Sequence, residues 1–102
     1  MTSPTPPVCN VDALTPAQRR RSGALLEGLS AAIVETVELT DGYAFRYEPE
    51  VSLEEIGAWL ALERMCCPFF RFQLEVDGAA GPVWLRLTGP AGVKEFLAPR
   101  LR

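Results

Sequence analysis

The sequence contains no histidine. Histidine is the usual general base near neutral pH, the usual partner of a nucleophilic serine or cysteine, and the commonest metal ligand. Its absence counts against triad-type hydrolases and against zinc hydrolases, which need three protein ligands and an open position. No glycine spacing matches a phosphate-binding or dinucleotide-binding loop either, so no organic cofactor is evident.

An excess of positive charge and a long apolar run are also missing. The formal net charge is −3 and the isoelectric point is about 4.9. Nucleic-acid binding needs a basic surface, so we expect no nucleic-acid partner; the one basic run, Arg19-Arg20-Arg21, fits a solvated helix face. The apolar stretches fall far short of a membrane span, so we expect no membrane partner.

The first residues show no basic segment followed by an apolar one, which predicts that the protein stays in the cytoplasm, where thiols are kept reduced. The chain has three cysteines: Cys9, Cys66 and Cys67. An odd number with two neighbours argues against a disulfide framework. The sequence therefore favours reduced cysteines over structural disulfides.

A chain of 102 residues suits one domain. Residues 1–12 are rich in proline and lack apolar periodicity, so we expect a flexible N-terminal segment followed by a single α+β domain at 13–102. Two capping patterns, Thr15-Pro16-Ala17-Gln18 and Ser52-Leu53-Glu54-Glu55, predict helix starts. Helical periodicity then predicts helices at 16–32, at 53 to 65 or 66, and at 91–98.

Alternating apolar and polar residues predict strands at 34–40, 43–47, 70–76 and 83–88. Asp41-Gly42 predicts a tight hairpin between the first two. The resulting order is a helix and then two β-β-α units, which indicates a four-stranded antiparallel sheet with helices packed on one face. The other face is expected to carry a mixed polar and aromatic set, Trp84, Arg86, Arg71, Gln73, Ala44 and Arg46, or their opposites, and such a face is a possible homodimer surface.

The adjacent pair Cys66-Cys67 is the main concentration of reactive chemistry. Thiolates select soft ions such as copper(I), and by the same logic mercury(II) or arsenic(III). Pro68 is expected to end the helix beside the pair, and Cys9 is a candidate third metal ligand. Glu63 and Arg64 are candidate supporting residues, for proton handling and thiolate stabilisation respectively, although they also fit an ordinary ion-paired helix end.

Other interpretations of the pair remain open. Cysteine is among the most buried residue types, so both side chains also fit simple packing in the core. A thiol-dependent reductase or transferase is an alternative, against which the missing histidine and the lack of Cys-x-x-Cys spacing count. A protein-interaction or dimerisation module with structural cysteines is another. Whether the chain is an enzyme stays open at this point.

The run from Glu63 to Phe72 contains Glu-Arg-Met-Cys-Cys-Pro-Phe-Phe-Arg-Phe, and Gly81 to Leu97 follows with Gly-Pro-Val-Trp-Leu-Arg-Leu-Thr-Gly-Pro-Ala-Gly-Val-Lys-Glu-Phe-Leu. Together with Cys9-Asn10, Ala13 to Pro16 and Asp41 to Phe45, this resembles a family of small, mostly uncharacterised bacterial proteins. The resemblance implies a setting of soft-metal or metalloid stress. The expected function is therefore binding of a soft metal or metalloid ion.

Overall fold

The computed structural model describes residues 10–97, apart from the side chains of Val11 and Phe96. It contains helices α1 (Pro16–Ala31), α2 (Leu53–Cys66) and α3 (Val93–Leu97), and strands β1 (Ile33–Leu39), β2 (Gly42–Tyr47), β3 (Arg71–Val76) and β4 (Val83–Thr88). A 3₁₀ turn at Val11–Ala13 precedes α1. The predicted order of a helix followed by two β-β-α units is confirmed.

Both long helices begin at the residues that the capping patterns predict. Thr15 caps α1 with a full capping box, because its hydroxyl accepts the Gln18 amide at 3.1 Å and the Gln18 side chain accepts the Thr15 amide at 2.8 Å. Ser52 caps α2 by accepting the Glu55 amide at 3.1 Å. In the described part of the chain only this serine half of the second box is seen.

The four strands form one antiparallel sheet in the order β1-β2-β4-β3. Phe45 of β2 lies opposite Leu85 of β4, and both are 2% exposed. They share one core with the buried residues Ile56 and Trp59 of α2. Burial of this continuous apolar layer between helices and sheet is the main source of stability.

The opposite face of the sheet carries the predicted polar and aromatic residues. The strand register aligns Ala44, Arg86 and Gln73 in one row. Ion pairs join strands on this face: Arg46 to Glu35 at 2.8 Å, and Arg86 to Glu75 at 3.7 Å. Exposed pairs of this kind contribute little to stability, so their main effect is to keep this face polar.

The first hairpin forms where the sequence predicts it, but Gly42 has a different role. Leu39 pairs with Gly42, so the two-residue loop is Thr40-Asp41 and the glycine is the first residue of β2. Its φ is not positive, whereas that of Gly78 in the second hairpin is +63°. A Cβ at position 42 would overlap the carbonyl oxygen of Leu87. Close approach of β4 therefore requires this glycine.

Across residues 10–97, no helix is both long enough and apolar enough to cross a membrane.

Candidate functional site: the cysteine pair at the end of α2

The cysteine pair lies where α2 stops. Cys66 is the last helical residue, and Cys67 has the non-helical angles φ −125° and ψ 74°. Proline disfavours the helical conformation in the residue before it, so Pro68 accounts for this break as the sequence predicts. The Cys67 amide still donates to the Glu63 carbonyl oxygen at 2.7 Å, which holds Cys67 against the last turn of α2.

Both cysteine side chains are buried. Cys67 is 0% exposed and Cys66 is 7% exposed, and both belong to the hydrophobic core together with Leu14 and Phe70. Their neighbours in sequence differ, since Met65 is 46% exposed and Pro68 lies at the surface. Both side chains therefore pack in the core, as the alternative interpretation of the pair predicts.

The two cysteines differ in oxidation state. Cys67 is in a disulfide, whereas Cys66 is a thiol. The prediction that structural disulfides are unlikely is therefore wrong for Cys67. The prediction counted cysteines and inferred a reducing compartment, and neither argument carries information about which cysteines the fold brings together.

The start of the described chain lies directly against this site. The Asn10 amide donates to the Cys66 carbonyl oxygen at 2.6 Å, and the Ala13 amide donates to the Asn10 carbonyl oxygen at 3.0 Å. Leu14, 5% exposed, continues this segment into the core. Sequence reasoning missed Asn10 and Leu14 as parts of the site. Cys9, the predicted third ligand, lies outside the described residues.

Two aromatic residues, Phe69 and Phe70, follow the pair along the chain. The Phe70 amide donates to the Cys67 carbonyl oxygen at 3.4 Å, and the Phe69 and Phe70 rings have centroids 4.6 Å apart. Gly89 packs on this segment, since a Cβ there would lie 3.0 Å from the Phe69 carbonyl oxygen and 2.7 Å from Val93. The turn between β4 and α3 thus supports the segment that follows the cysteines.

The predicted supporting residues fall into two groups. Glu63 is buried at 5% exposure, whereas Arg64 and Pro68 are exposed. A cation in the last turn of a helix interacts favourably with the helix dipole, which gives Arg64 a role at the end of α2. The structure therefore brings Glu63, Cys66 and Cys67 into the core and leaves Arg64 and Pro68 outside it.

Glu63 also lines a small cavity of about 30 Å³ between α1, α2 and the sheet. Trp59 and Tyr47 line the same cavity, and burial raises the pKa of Tyr47 to about 12. The Trp59 indole nitrogen is buried and has no hydrogen-bond partner among the described residues. This volume is enough for water but far below the ~300 Å³ of an ordinary small-molecule site.

Among the described residues, no three acidic, histidine or cysteine side chains cluster as metal ligands. A scan against models of protein families, a search of curated proteins and a search of solved structures each found no match to this chain.

Proposed function

We propose that this protein, when its cysteines are reduced, binds a soft metal or metalloid ion such as mercury(II), copper(I) or arsenic(III) through Cys66 and Cys67, with Cys9 as the third ligand. The observation that carries the proposal is the disulfide at Cys67. A disulfide joins two sulfur atoms about 2 Å apart. Reduction of this disulfide leaves a Cys67 thiol next to the Cys66 thiol.

The surroundings of the pair favour a soft ion over a hard one. Cys66 and Cys67 lie among apolar side chains of the core, including Leu14 and Phe70. Calcium and magnesium take oxygen ligands, and magnesium usually keeps several waters, which such a site does not offer. Thiolates instead form strong bonds to soft ions, and each thiol that binds releases a proton.

The direct test is native mass spectrometry of reduced protein, with the reductant removed, after addition of mercury(II) together with an excess of a monothiol competitor. We expect one ion per chain for the unsubstituted protein and loss of binding for Cys66→Ser and Cys67→Ser. Met65→Leu is the matched control, because it replaces a neighbouring sulfur that is 46% exposed. Circular dichroism checks that each variant is folded.

The oxidised protein provides the second arm of this test. With Cys67 held in its disulfide, we expect binding at least tenfold weaker than in the reduced protein, because a disulfide sulfur is not a thiolate ligand. Equal retention of mercury by reduced protein, oxidised protein and Cys67→Ser would refute the proposal.

Thiol–disulfide exchange is a second candidate, favoured by one observation: the Cys67 disulfide lies next to the Cys66 thiol. A substrate dithiol would attack the disulfide, leave as a disulfide itself, and convert the protein bond into two thiols. The complete burial of Cys67 counts against rapid attack. Oxidation of a dithiol peptide at a rate no faster than by a small-molecule disulfide would eliminate this candidate.

A further inference from the structure

Strand β3 forms an edge of the sheet and is paired on one side only, with β4. No segment within residues 10–97 pairs with its other side. Natural proteins protect such edges with charged side chains, above all lysine, and with proline or bulges, because the unpaired backbone groups invite a further strand. The sequence of β3, Arg-Phe-Gln-Leu-Glu-Val, has no lysine or proline, its two charges have opposite signs, and its pairing with β4 is regular over all six residues.

The apolar side of β3 is incompletely covered. Leu74 and Val76 lie opposite the core residues Leu85 and Val83, so they belong to the face on which the helices pack. They are nevertheless 41% and 44% exposed, whereas Leu85 and Val83 are each 2% exposed. The core therefore continues to this edge without a covering element among the described residues.

The polar side of β3 is self-complementary in charge. Arg71, Gln73 and Glu75 are all exposed on that side. In an antiparallel pair, opposite residues share a face, so a two-fold axis must pass through a residue. An axis at Gln73 places Arg71 of each copy opposite Glu75 of the other, and Phe72 of each copy opposite Leu74 of the other.

We propose that β3 pairs with β3 of a second copy of this chain, antiparallel and centred on Gln73. The two sheets then form one continuous sheet across the dimer. Two ion pairs on the polar side and two Phe72–Leu74 contacts on the apolar side fix this register, since cross-strand pairs of these kinds stabilise sheets.

The other edge of the sheet does not offer the same fit. The charged residues of β1 are Glu35 and Glu38, and both are acidic. Pairing of β1 with itself would bring only negative charges together. Charge complementarity therefore selects β3.

The test is the concentration dependence of mass in sedimentation equilibrium. We expect the unsubstituted chain to dimerise, and Arg71→Glu and Glu75→Arg each to weaken dimerisation about tenfold or more, because each puts like charges opposite one another at two positions. Glu54→Arg, which reverses an exposed charge on α2, is the control and should leave the dimer unchanged.

Mixing the two single variants separates pairing from simple destabilisation. Arg71→Glu chains are complementary to Glu75→Arg chains in this register, so the mixture should form heterodimers, and the double reversal should restore the homodimer. A monomer at all concentrations up to hundreds of micromolar, or a mixture that stays monomeric, would overturn the proposal. This result is independent of the proposed metal site, because none of its proposed ligands belongs to β3.

Discussion

The Asn10 amide and the Cys66 carbonyl oxygen are joined by a hydrogen bond of 2.6 Å. The last carbonyl groups of a helix have no partner within the helix, so this contact satisfies one of them at the end of α2. It also ties together two segments far apart in sequence. The described segment before α1 is thereby part of the cysteine site. Substitutions in this segment should therefore affect the end of α2, and substitutions at the end of α2 should affect this segment.

The oxidation states of the two cysteines predict a distinctive labelling pattern. In denatured protein that has not been reduced, iodoacetamide should modify Cys66 and leave Cys67 unmodified, because Cys67 is in a disulfide. In reduced and denatured protein both should be modified. In native protein Cys66 should react slowly, since it is 7% exposed. Peptide mass mapping gives the readout, and modification of Cys67 without prior reduction would contradict the assignment.

The local part of this site could be predicted from the sequence, and the long-range part could not. Pro68 ends α2 through a steric effect on the residue before it, and the sequence alone predicts this effect. The contact of Asn10 with Cys66 depends on how the segment before α1 packs against the end of α2. No short-range pattern encodes that packing.

Leu14 should be important for the closure of the cysteine site. It is 5% exposed and shares the core with both cysteines, so Leu14→Ala should cost about 2–5 kcal/mol of unfolding free energy. It should also speed the labelling of Cys66 in native protein. Leu53→Ala is the matched control, because Leu53 is 43% exposed and should cost far less. If urea denaturation gave the same loss of unfolding free energy for Leu14→Ala and Leu53→Ala, Leu14 would not be a core residue.

Gly42 and Gly57 should respond in opposite directions to the same substitution. Gly42→Ala places a methyl group on the Leu87 carbonyl oxygen and should destabilise the protein by about 1–3 kcal/mol or more. Gly57→Ala, within α2, meets no atom within 4 Å and should stabilise the protein by about 1 kcal/mol. Thermal unfolding of both variants measures the difference. A Gly42→Ala variant as stable as the parent would show that β4 lies further from β2.

Gly42 also shows where sequence reasoning about the fold stops. Aspartate and glycine between two alternating segments correctly predict a hairpin, but the loop is Thr40-Asp41. The glycine is required by the close approach of β4, a strand much later in the sequence. In the same way, alternation correctly assigns Leu74 and Val76 to the apolar side of β3. It cannot show that the helices leave them exposed, because coverage depends on where α2 lies over the sheet.

Tyr47 should make stability depend on pH in the alkaline range. Burial raises its pKa from 10.0 to about 12, so the unfolded chain loses the proton first as the pH rises. The contribution of the neutral Tyr47 phenol to the free energy of unfolding is present in full below pH 10, and it is lost progressively as the pH rises to about 12.

Tyr47→Phe removes this titration and keeps most of the buried ring. The free energy of unfolding of the variant should fall less steeply between pH 10 and 12 than that of the parent, as measured by urea denaturation across that range. Some pH dependence should remain, because the hydrogen bond to Glu38 raises the pKa of Lys94, which also favours the folded state until it loses its proton. Parallel curves for parent and variant would mean that the Tyr47 hydroxyl reaches water in the folded protein.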